Sequence, residues 1–65
     1  MKKKNNIKEA RIRKGWTQLT LASKLRTSIS RVSAWELQKG EPLQRTKYQI
    51  CELLNESMDY LFPNI

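Results

Sequence analysis

Apolar residues along this chain recur at steps of three and four, and nowhere do they alternate with polar ones over the length of a strand. That periodicity is helical, and no β-branched run bounded by turn residues argues for a sheet. A first helix opens after Asn5 or Asn6, either of which can cap it, and runs to about Lys14. Ile7, Ala10, Arg11 and Lys14 line one of its faces, with Ile12 beside them, and Gly15 ends it in a left-handed turn. Thr17 caps a second helix with Leu21, Ala22 and Leu25 inward, and Trp16 before the cap is spaced to staple onto Leu21. Arg26-Thr27-Ser28 is a polar break, and Ser28 caps a third helix to about Gln38 with Val32 and Trp35 inward. Ile29 lies three residues from Val32 and either joins that face or turns away from it.

Pro42 separates a fourth helix, roughly Gln44 to Leu54, whose apolar positions are Ile50, Cys51, Leu53 and Leu54, with Tyr48 beside them. Asn55 can take the left-handed conformation that ends it, Ser57 caps a last turn from Met58 to Phe62, and Pro63 forbids continuation. The expectation is one all-α domain over residues 1–65. So short a chain buries little surface, so a stability of only about 3–5 kcal/mol is expected. A single cysteine rules out an intrachain disulfide, and Cys51 among Ile50, Leu53 and Leu54 reads as a small apolar filler in a reducing compartment. Met1-Lys2-Lys3-Lys4 opens like a secretory leader, but polar residues follow, and nothing approaches the roughly 20 apolar residues that span a bilayer. A cytoplasmic protein with no membrane partner is expected.

Charge narrows the function. Thirteen Lys and Arg stand against six Asp and Glu, for a net +7. Every base falls at or before Lys47, where only Glu9, Glu36 and Glu41 oppose them, so thirteen against three gives +10. The remainder holds Glu52, Glu56 and Asp59 and no base. Such asymmetry directs most of the molecule at a polyanion, the plainer alternative being an ordinary solvated basic surface. Catalysis has little to draw on: there is no histidine, no cysteine pair, and no glycine besides Gly15 and Gly40. The acids are scattered, so neither an enzyme nor a metal or other cofactor is expected.

Two short helices joined by three or four residues, the second opened by a small hydroxyl side chain, meet the requirement of a helix-turn-helix over about Thr17–Gln38. From Ile7 to Phe62 the chain resembles the lambda-repressor-like, Cro-type (XRE) family of bacterial and phage regulators. The resemblance is carried by Arg11 to Gly15, Trp16-Thr17-Gln18, Leu21-Ala22, then Ser28, Val32, Ser33, Trp35 and Glu36, Pro42 six residues on, and Asp59-Tyr60-Leu61. Arg26 and Gln38 stand where that family carries glycines, and Lys47 where it carries a leucine. The resemblance implies a compact five-helix DNA-binding fold. It also implies a structural ion pair between Arg11 and Glu36.

By the same resemblance the second helix of the motif lies in the major groove while the first braces on the backbone. Gln18, at a helix start, is then placed to donate to a phosphate. Ser28, Ile29, Ser30, Ser33 and Ala34 form the reading surface; serines specify weakly, and Ile29 and Ala34 can cover a thymine methyl. Direct readout is therefore expected to be modest and supplemented by DNA shape. Lys39 and Arg45 are expected at phosphates, Arg31 at phosphate or base, and Lys2 to Lys4 as a basic arm or a frayed end. Trp16, Trp35, Tyr60 and Phe62 would suit single-strand stacking, but both tryptophans fall at inward positions of the motif. Tyr60, Leu61, Phe62 and Ile65 crowd the base-free end and read as a homodimer contact.

The reading is a homodimeric regulator that binds double-stranded DNA at a palindromic operator, without a small-molecule effector, and represses by occluding a promoter. Neighbouring readings are an excision factor, an autoregulating antitoxin or a restriction-modification controller. A protein-interaction adaptor retaining the fold would need neither the basic patch nor Gln18.

Overall fold

In the computed structural model, which describes residues 4–63, five helices follow one another: α1 (Ile7–Arg13), α2 (Gln18–Leu25), α3 (Ile29–Glu36), α4 (Gln44–Leu54) and α5 (Met58–Leu61). No strand occurs among the described residues. Three of the helices start on a side-chain oxygen that satisfies an amide otherwise left without an intrahelical acceptor. Thr17, Ser28 and Ser57 accept from the backbone N–H of Thr20, Arg31 and Tyr60 at 3.1, 3.2 and 3.1 Å. α1 starts differently. Asn6 holds the cap position but makes no capping bond with its side chain, and Asn5 Oδ1 accepts the Ile7 amide at 3.1 Å instead. Asn6 turns to α5, its Nδ2 donating to the Tyr60 carbonyl at 2.7 Å and its backbone N–H to that of Leu61 at 2.9 Å.

The first four helices end in one way, with a residue at positive φ: Gly15 (78°), Arg26 (57°), Gln38 (63°) and Asn55 (54°). After α2 the Arg26 amide bonds the Ser23 carbonyl at 3.2 Å and the Thr27 amide that of Ala22 at 2.9 Å. That pair of bonds is the Schellman arrangement, and the same pair recurs after α1, α3 and α4. Gln38 entering this turn stops α3 at Glu36, two residues short of the expected end. The last helix likewise ends at Leu61 and not Phe62, and Lys14 lies in the turn after α1, exposed rather than inward.

A left-handed conformation costs a residue with a Cβ roughly 1–2 kcal/mol, against which glycine's extra chain entropy is about 0.5–1 kcal/mol. Arg26 is exposed, and its side chain makes no bond to another described residue that would offset that cost. Arg26→Gly should therefore raise stability by about 0.5–1 kcal/mol, a gain of several degrees in the melting temperature of a domain this small. A thermal melt at or below the wild-type midpoint would show that the Arg26 side chain contributes something the turn needs.

The first four helices each contribute two residues to a single core, Ile7 and Ala10, Leu21 and Ala22, Val32 and Trp35, Ile50 and Leu54, and α5 adds Leu61, with Phe62 just beyond it. Trp16, Leu25, Cys51, Leu53, Met58 and Tyr60 pack around it, half-buried. Burial raises the Cys51 thiol above its ordinary range, which keeps it neutral and poorly reactive, as a filler residue should be. Two expectations are corrected here. Ile29 is 43 % exposed, so the inward alternative for it does not hold. Leu61 is fully buried and Phe62 nearly so, because α5 closes the open end of a core that four short helices leave uncovered. They are unavailable as a homodimer contact. Tyr60 is half-buried, and Ile65 lies outside the described residues, as do Lys2 and Lys3 of the basic arm.

Candidate nucleic-acid interface

α2 packs chiefly against α3, and the contact is pinned at one end by a charged cluster reaching from α1. Arg11 projects from α1 and engages Glu36, the last residue of α3, through Nε to Oε2 at 2.7 Å and Nη2 to Oε1 at 3.1 Å. This is a two-bond guanidinium–carboxylate fork, with side-chain exposures of only 10 % and 3 %. Arg11 Nη1 also donates to the Trp16 carbonyl at 2.7 Å, holding the loop into α2. Gln18 joins the cluster, its Nε2 donating to Glu36 Oε1 at 3.0 Å. No buried side-chain nitrogen or oxygen among the described residues is left without a partner. Gln18 is thus held by Glu36 at the N-terminus of α2, with its second amide hydrogen and its carbonyl oxygen still available to a ligand.

The side chains expected to read bases lie on or just before α3 and differ in exposure. Ser28, Ile29, Ser30 and Arg31 are exposed, and Ser33 and Ala34 are half-buried one turn further on. Ser28 Oγ accepts the cap bond from Arg31, so its hydroxyl hydrogen remains free to donate. Arg26 in the turn, Arg31 on α3 and Lys39 beyond it are all exposed and make no ion pair with another described residue. Uncompensated cations on both sides of an exposed helix give the surface a positive field. Lys47 differs, since Glu41 takes its ammonium at 2.8 Å. That bond holds the Glu41 carboxyl below its ordinary range. Arg45 differs as well: it lies on α4, lining a groove with Glu52 and Glu56.

Two short helices packed through Leu21, Ala22, Val32 and Trp35, joined by the Arg26–Ser28 turn, with the second exposing hydroxyls between bare cations, are a helix-turn-helix. A family model described as a helix-turn-helix domain matches residues 5–65. The chain belongs to that family. The helix-turn-helix domain binds double-stranded DNA and regulates transcription, and domains of this kind are typically not enzymes. A comparison with curated proteins gave no match. No helix among the described residues is long and apolar enough to cross a membrane. Those residues also hold no cluster of side chains suited to a metal ion.

Two residues of this helix-turn-helix domain were not singled out by sequence for what they do. Asn5 is fully buried, and its Nδ2 donates to the Trp35 carbonyl at 2.8 Å. Gln38 Oε1 accepts the backbone amides of Lys4 and Asn5 at 2.8 and 3.1 Å, and its Nε2 donates to the carbonyls of Glu36 and Asn5 at 3.2 and 3.3 Å. Together they strap the segment before α1 across the end of α3. The strap explains why an amide occupies a left-handed position otherwise suited to glycine: each such bond contributes about 1 kcal/mol, which offsets the conformational cost. A side chain with four bonding positions standing at a glycine position was the signal available in the sequence.

Proposed function

We propose that this domain represses transcription by occupying a promoter as a symmetric pair, with α3 of each copy in successive major grooves. In this reading Gln18, Arg31 and Lys39 hold phosphates. Ser28, Ile29, Ser30, Ser33 and Ala34 meet base edges. The single observation that carries the reading is the exposed α3 face, with small hydroxyl and apolar side chains flanked by cations that have no counter-charge among the described residues. One such helix reads too few bases to be selective in a genome, whereas two on one face of the duplex, about 34 Å apart, read a palindrome. With no Gln, Asn or Arg pair at the opening positions of α3, DNA shape supplies part of the selectivity.

The test is selection of bound sites from a random duplex library, followed by salt titration on the preferred site. A palindromic site is expected. Two phosphate-neutralising cations per copy, four in the pair, give a log–log slope of about −3.6, or roughly a hundredfold weaker binding between 50 and 200 mM salt. Gln18→Ala should weaken all duplexes alike, while Ser30→Ala or Ser33→Ala should change which one is preferred, because phosphates carry no base identity. A flat salt dependence, or a preference that shifts with Gln18 and not with the serines, overturns the reading.

A further inference from the structure

Helix α4 presents to solvent a face that no other described residue covers. Gln44, Arg45, Tyr48, Gln49 and Glu52 form one helical stripe, all exposed, and Tyr48 keeps 60 % of its surface in water. An open groove of about 540 Å³ runs beside the tyrosine, with Cys51 in its lining. Arg45 and Glu52 stand seven residues apart, two helical turns, and so lie on nearly the same line along the helix. Neither makes an ion pair with another described residue, whereas Glu56 beside them is held by Arg13 at 2.9 Å.

That spacing is self-complementary. In a two-fold contact residue i meets residue j and residue j meets residue i. An axis passing between Tyr48 and Gln49 of antiparallel α4 helices sets Arg45 against the partner's Glu52, and Glu52 against the partner's Arg45. It also lays the Tyr48 ring over the partner's Gln49 and along the groove. Parallel packing would instead oppose like charges at both ends, so the charge order selects the antiparallel arrangement. We infer that the Arg45–Glu52 face of α4 is where a second copy of this chain docks. This takes Arg45 from the phosphate role expected for it and supplies the pair invoked in the proposed function, on which only its biological use rests. Two turns of helix make a contact smaller than a standard interface, so the association is weak and is reinforced when both copies hold one duplex.

The experiment is sedimentation equilibrium without DNA, up to about 1 mM protein, so that its result is independent of whether the DNA reading holds. Arg45→Glu and Glu52→Arg should each weaken self-association about tenfold or more, because each sets like charges opposite one another at both ends. The double reversal in one chain should restore it, and the two single variants mixed together should associate with each other while neither does so alone. All these positions are exposed, so the monomer fold should survive, as a thermal melt will show. A wild-type protein that stays monomeric throughout the range, or single reversals that associate like wild type, overturns the proposal.

Discussion

Glu36→Ala should cost this domain about 3–5 kcal/mol, enough to leave much of it unfolded at 37 °C. The carboxylate is almost fully enclosed and takes three bonds, two from the Arg11 guanidinium and one from Gln18. Its removal strands a guanidinium that is itself only 10 % exposed and frees the amide that Gln18 holds toward α3. Arg11→Ala leaves the converse, a carboxylate with Gln18 as its remaining partner, and also releases the Trp16 carbonyl. Replacing both by apolar residues of matching size, Arg11→Met with Glu36→Leu, should be milder than either single change, because no unpaired charge is then buried. Thermal melts of the three variants decide the matter. Single effects that simply add up in the double variant would show that the two charges do not act as a unit.

The cluster also bears on DNA binding. Where Glu36→Ala leaves enough folded protein to assay, the phosphate role proposed for Gln18 predicts that affinity falls for every duplex alike, since Gln18 loses the partner that holds its amide.

How much of this was legible in the sequence follows from the range of the interactions involved. Caps and turns are local: Thr17, Ser28 and Ser57 start their helices through bonds to amides three residues away, and Gly15 and Asn55 end theirs, as read from the residues alone. α4 spans the expected Gln44–Leu54 because nothing distant competes with its periodicity. The less legible features depend on partners far along the chain. Asn5 reads as a cap, which its Oδ1 does provide, but its burial comes from Trp35, thirty residues away. The helical spacing of Ile29 fits either side of α3, and only the packing of α2 against α3 decides between them. Tyr60, Leu61 and Phe62 form an apolar cluster near the chain end, which sequence cannot distinguish from a docking patch until the size of the uncovered core is known.

That ambiguity yields the largest expected effect. Leu61→Asp should unfold the domain outright, with or without DNA. The side chain is fully buried at the base of α5, among core residues drawn from all the other helices. Removing it forfeits the transfer free energy of a large aliphatic group and leaves a cavity, about 2–5 kcal/mol as judged from leucine-to-alanine changes. Placing a carboxyl in the same space adds an unpartnered polar group at roughly 1–3 kcal/mol more, even after it has taken up a proton to avoid burying charge. The sum, about 3–8 kcal/mol, matches or exceeds the roughly 3–5 kcal/mol a domain of this size holds. Protonation also gives a sign to the pH dependence. An aspartate whose folded-state pKa lies above its unfolded value binds more protons when folded, so the variant should be least unstable in acid and lose stability as pH rises. Far-UV circular dichroism at neutral pH is the measurement, with the exposed Asp59→Ala as a neighbouring control that should stay folded. A Leu61→Asp protein that kept its helices and its melting temperature would put Leu61 at the surface, and the C-terminal end would again be open to a partner.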